Sequence, residues 1–107
     1  MAKIDYKKAI RDKIPEIIEK SGQKCNVKTL SDEEFLIELD KKLGEELQEY
    51  YESKSVDELA DIVEVVQKIA TLRGTSLEEF ERIRLEKVDK RGGFEKNLFL
   101  IDTNKTK

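Results

Sequence analysis

Three times in this chain a serine stands three residues before a glutamate at the head of an apolar, helix-spaced run: Ser31 with Glu34, Ser55 with Glu58, and Ser76 with Glu79. The serine hydroxyl accepts from a first-turn N–H while the glutamate reaches back to the serine N–H, so each Ser-x-x-Glu announces a helix start. The spacing predicts helices over residues 32–52, 56–73 and 77–90. Gly74 ends the second and the Arg91–Gly93 turn ends the third, because glycine enters the left-handed region without a Cβ clash. A shorter helix is expected in "RDKIPEIIEKSG", with Asp12 as N-cap, Pro15 in the first turn and Gly22 as the stop. "KCNVKTL" reads as an extended connector or edge strand. The apolar tail "FEKNLFLID" is expected to dock on the bundle or on a partner subunit, and only Thr103 to Lys107 is expected to fray.

The fold class is therefore all-α: an antiparallel helical bundle, with short extended segments at most, whose core is expected to be completed by oligomerisation. A chain of 107 residues supports one domain. Its three longer helices carry broad apolar sectors, which predicts a homo-oligomer, at least a dimer.

Composition narrows the chemistry. The chain has no histidine and one cysteine, Cys25. Imidazole bases, Ser-His and Cys-His pairs, disulfide frameworks and cysteine-rich zinc sites are all excluded. Lys plus Arg (21) and Asp plus Glu (24) nearly cancel, leaving a net charge of -3, so no overall basic field points to nucleic acid. No apolar run reaches membrane-spanning length, and "MAKIDYKKAI" lacks the apolar centre of a signal peptide. A cytoplasmic, soluble protein without a membrane partner is expected.

The exception to ordinary amphipathic patterning lies in "GEELQEYYESKSVDELADIV". At about 100° per residue, Phe35, Leu36, Leu39, Leu43, Leu47 and Tyr50 share one face, and Glu46 falls inside that stripe with Glu49 at its margin beside Lys42. On the next helix Leu59, Ile62, Val63, Val66 and Ile69 form the stripe, widened by Val65. Glu58 lies in its apolar sector, and Asp61 is on the side of Val65 and Leu72. A short connection makes the two helices antiparallel, so the four carboxylates converge. Glutamates at such positions also have ordinary uses: Glu58 can cap its helix, and Glu49 can pair with an exposed cation. Together, four acids facing a core repel one another unless a cation compensates. Oxygen ligands without sulfur or imidazole select a hard divalent ion, Mg²⁺ first, with Mn²⁺ able to substitute.

"EELQE" followed after a turn by "ELAD" resembles the Glu-x-x-Glu and Glu-x-x-Asp signature of the all-alpha nucleoside triphosphate pyrophosphohydrolases, the MazG-like superfamily. The flanks "RDKIPEIIEKSG" and "RGGFEKNLFL" are similar to one branch of it, so the likeness runs over most of the chain. The resemblance implies that Glu46, Glu49, Glu58 and Asp61 bind Mg²⁺. It implies cleavage between the α and β phosphates of a nucleotide, giving a monophosphate and pyrophosphate, with house-cleaning of non-canonical nucleotides as one use. In that chemistry Glu49 is the candidate base for the attacking water. Lys42, Arg11, Lys13, Arg84, Lys87 and Arg91 are candidates for the phosphates, with Lys87 and Arg91 ranked first. Phosphoribosyl-ATP pyrophosphohydrolase is an alternative, although that enzyme commonly carries histidine after its second motif. A small acidic helical bundle would also serve as a non-catalytic interaction module, or hold a purely structural metal ion.

Overall fold

The computed structural model describes residues 3–105, which form four α-helices and no strand: α1 (Ile14–Lys20), α2 (Asp32–Ser53), α3 (Val56–Leu72) and α4 (Leu77–Arg91). The chain divides into two compact units, Met1–Leu77 and Glu78–Lys107. Among the described residues no helix is long and apolar enough to cross a membrane.

The first unit is built on the α2–α3 hairpin. Its start is fixed by Ser31, whose hydroxyl accepts from the Glu34 N–H while the Glu34 carboxylate accepts from the Ser31 N–H. Only Lys54 and Ser55 join the two helices. Lys54 is left-handed (φ 56°, ψ 26°), a conformation that costs a non-glycine residue about 1 kcal/mol. Its ammonium lies 5.4 Å from the ring centres of both Tyr50 and Tyr51, a cation–π contact that offsets part of that cost. Ser55 caps α3 by accepting from the Asp57 N–H. The expected reciprocal box is not formed there: the Ser55 N–H donates to the Ser53 hydroxyl, which leaves the Glu58 carboxylate free to turn inward. At the far end Arg73 pairs with Asp40 at 3.4 Å, tying the end of α3 to the first half of α2. Gly74 (φ 92°) then terminates α3, with Thr75 N–H on Ala70 and Gly74 N–H on Thr71.

Ala9, Leu39 and Val65 are the buried hydrophobic residues among those described, and Phe35, Leu43, Ile69 and Leu72 pack around them. The rotation of α3 differs from the expected stripe. Val65 is its centre, whereas Leu59 and Val63 are 41% and 53% exposed, and on α2 Leu47 is 40% exposed. α3 is apolar around most of its circumference, and one partner helix covers only one sector. The sector chosen carries Val65, and Glu58 and Asp61, seven and four residues earlier, travel with it.

α1 keeps its two turns, its early proline and Gly22 (φ 94°) after the C-cap, but its N-cap is Lys13 with no side-chain hydrogen bond, not Asp12. "KCNVKTL" runs without strand pairing.

In the second unit α4 has no buried residue and is laced along its surface by Arg82 with Glu79 and Glu86, and by Arg84 with Glu81. Gly92 (φ 82°) follows its end. Phe94, Leu98, Phe99, Leu100 and Ile101 are at least 78% exposed, so within the single chain the tail is not buried, and of the two expected docking places the partner subunit is the one left. Thr103 to Lys105 are irregular, and the rest of the segment expected to fray, Thr106 and Lys107, lies outside the described residues.

Ser31→Ala removes the hydroxyl half of the α2 box and should cost about 1 kcal/mol of unfolding free energy in urea melts. A loss within a few tenths of zero would mean that the box does not hold α2 in solution.

Candidate metal centre

Toward the Lys54–Ser55 turn the hairpin seam changes from apolar to acidic. On α2, Glu46 follows Leu39 and Leu43 along the inward stripe and is 8% exposed, the buried charged residue of the described chain. On α3, Glu58 and Asp61 precede Val65 on its face and are half-buried. Antiparallel pairing sets the third quarter of α2 against the first turns of α3. One carboxylate oxygen from each of Glu46, Glu58 and Asp61 lies within 4.8 Å of the other two.

Glu46 Oε1 faces the Lys42 ammonium at 3.5 Å, one helical turn earlier, and both side chains are largely buried. Glu46 Oε2 and Glu58 Oε2 are buried without a hydrogen-bond partner among the described residues. Buried carboxylate oxygens in that condition are costly. Loss of solvation raises the Glu46 pKa, the Glu49 charge raises it further, Lys42 acts the other way, and Asp61 adds to the rise. Glu58 is raised too, first by loss of solvation, then by the Glu49 charge and the adjoining Glu46 carboxyl group.

Asp61 is met from outside the hairpin. The Arg11 guanidinium donates to Asp61 Oδ1 at 2.7 Å, with both side chains roughly half-exposed. Glu49 stands at the exposed edge, close enough to influence Glu46 and Glu58 but outside the three-oxygen group.

The donor set suits a hard cation. Oxygen ligands of an octahedral Mg²⁺ stand about 2.1 Å from the ion and so at most about 4.2 Å apart, a spacing comparable to the 4.8 Å within which the three oxygens lie. Two of the set's three members, Glu46 and Glu58, are the residues with an orphaned carboxylate oxygen.

Of the residues expected to meet phosphate, two are engaged with the cluster itself: Lys42 with Glu46 and Arg11 with Asp61. Lys13 is exposed at the N-cap of α1. Lys87 and Arg91 are exposed on α4 in the second unit, where Arg84 is paired with Glu81. The contact that sequence reasoning missed is Arg11 on Asp61, fifty residues apart, for which no periodicity gives a signal.

An uncharacterized protein of Mycolicibacterium smegmatis is 50% identical to the chain over 40 residues, 37% of this chain and 41% of that protein. The matched stretch thus spans less than half the length of that relative. No family model and no solved structure matches the chain.

Glu46→Gln tests the burden of the buried charge. A carboxyl whose folded pKa is raised above its ordinary 4.5 holds extra stability below that range and loses it as pH rises through the folded value. In EDTA the variant should therefore melt above wild type at a pH above the folded value, and the gap should close as pH falls through that value toward 4.5. A gap that is constant with pH would show that Glu46 does not titrate abnormally.

Proposed function

We propose that the chain is a Mg²⁺-dependent nucleotide pyrophosphohydrolase of the MazG-like kind, cleaving between the α and β phosphates to give a nucleoside monophosphate and pyrophosphate. The reading rests above all on Glu46. A carboxylate buried against two other acids, with one oxygen unpartnered, is expensive in a small hairpin core and is accounted for by a divalent ion. An acidic interaction module would keep its carboxylates on the surface, which argues against that role.

Glu46, Glu58 and Asp61 would hold the ion, with Glu49 completing the set from the edge. Bound there, Mg²⁺ supplies charge neutralisation for the phosphate oxygens and acidity for the attacking water. The chain's own groups do the rest. Glu49, hydrated and beside the cluster, accepts the water's proton. Lys42 holds Glu46 Oε1 and so fixes the direction of Oε2. Exposed Lys13, two residues from Arg11, is available to the outer phosphates.

We also propose that the protein works as a homodimer or homotetramer. Leu47 and Tyr51 on α2 and Val56, Leu59 and Val63 on α3 are exposed large hydrophobic residues. Helical geometry turns Leu47, Tyr51, Leu59 and Val63 to the same side of the antiparallel hairpin, a side that a second copy would cover.

Incubation of the protein with a panel of canonical and damaged nucleoside triphosphates and Mg²⁺ should release pyrophosphate. Orthophosphate as the sole phosphorus product besides nucleotide would overturn α–β cleavage. Glu58→Gln should lower kcat/KM at least about a hundredfold with the helical signal intact, the loss expected when a ligand is removed. At free Mg²⁺ about a hundredfold above its Kd, wild type should gain about 2.7 kcal/mol by linkage. Equal stabilisation of Glu58→Gln would remove Glu58 from the ligand set.

A further inference from the structure

We propose that Arg11 is the internal counter-ion of this carboxylate cluster, bound to Asp61 when no metal is present, displaced from it by the divalent ion, and thereby released to the phosphates of the nucleotide. The inference rests on the metal-centre reading above and adds a competition between two cations for one carboxylate.

The N-terminal segment is not a loose arm at this point. Ala9 is 6% exposed in the same small core as Leu39 and Val65, so the backbone two residues before Arg11 is anchored on the hairpin. On the other side the Arg11 carbonyl accepts from the Ile14 N–H at 3.1 Å, the turn that leads into α1. Between these two anchors Arg11 reaches Asp61 Oδ1 at 2.7 Å. The backbone is held while the guanidinium remains about half-exposed and hydrated, so the side chain can exchange partners without moving its segment.

Asp61 is the member of the three-oxygen group whose cation comes from outside the hairpin. Glu46 has Lys42 from its own helix, and Glu58 forms no ion pair among the described residues. A planar guanidinium and a divalent ion cannot share Asp61 without like charges lying a few ångströms apart. Each therefore weakens the other by the same factor. Once displaced, Arg11 stands at the cluster with its five donors unpaired, and the phosphate oxygens of a nucleotide bound over the ion are the anions in reach. Lys42, largely buried on Glu46, is not free to exchange in this way.

The test uses the full chain. Mn²⁺ alone is titrated into wild type, Arg11→Gln, Arg11→Lys and Glu46→Gln, with free Mn²⁺ read by electron paramagnetic resonance and folding checked by circular dichroism in EDTA. Arg11→Gln should bind Mn²⁺ about tenfold more tightly than wild type, the effect of removing one unit charge near the ion at a partly solvated site. Arg11→Lys should stay near wild type. With Mg²⁺ and nucleotide, Arg11→Gln should raise KM for the nucleotide about tenfold while needing less Mg²⁺ for half-maximal rate. In wild type the Arg11 side-chain NMR resonance, assigned by its loss in Arg11→Lys, should shift on Mg²⁺ addition, a readout that needs no folded Arg11→Gln. Equal or weaker Mn²⁺ binding in Arg11→Gln, with binding reduced in Glu46→Gln, would overturn the role of Arg11 and leave the metal centre standing. Wild-type binding that is absent, or unchanged in Glu46→Gln, would overturn both.

Discussion

The burial of the Glu46 carboxylate between two helices is the constraint around which the hairpin is arranged. A leucine there would extend the Leu39–Leu43 stripe and stabilise a chain with little core to spare, since only three hydrophobic residues among those described are buried. The chain instead carries an acid, one of whose oxygens is met by Lys42 from the preceding turn. A buried pair of this kind returns little net stability after desolvation. Its cost has to be borne by the apolar half of the same seam.

That half does so by fixing both register and rotation. Leu39 and Val65, with Ala9 packed against them, lock the helices on the side of the acids away from the turn, and Arg73 with Asp40 adds an exposed tie farther along. The two-residue connection leaves no slack at the other end. With both ends set, Glu46, Glu58 and Asp61 have no choice but to meet. Convergence of the acids is a by-product of packing elsewhere, which is how a small fold can hold a cluster that would otherwise repel itself apart.

The helix ends were legible because each has a local cause: the Ser31–Glu34 box, Gly22, Gly74 and Gly92 lie where glycine or a capping serine acts on its own neighbours. The convergence of Glu46, Glu58 and Asp61 was legible as well, since it follows from helical period and a short turn. The rest depends on competition that spacing does not resolve. α3 offers apolar side chains on nearly every side, so the sequence alone does not say whether Ile62–Val66 or Val65 faces α2. Ser55 had two possible partners for its N–H, and the nearer hydroxyl of Ser53 displaced Glu58. Asp12 lost the N-cap of α1 to Lys13, one residue nearer the helix. The pairing of Arg11 with Asp61 is set by where Ala9 is buried, a tertiary fact.

Charge balance connects these observations. Four acids, Glu46, Glu49, Glu58 and Asp61, face two cations, Lys42 and Arg11, leaving a local deficit of two positive charges, the charge of one divalent ion. The two cations are not equivalent. Lys42 is enclosed with its partner, so moving it would expose a buried charge, whereas the Arg11 pair is half-hydrated, and pairs of that kind hold by about 0–1 kcal/mol. One cation is thus structural and the other exchangeable. On the proposed reading, a site that first attracts a metal and then accepts a polyanion would use both kinds: a fixed positive charge to keep the acids in place, and a movable one whose allegiance changes when the sign of the incoming group does.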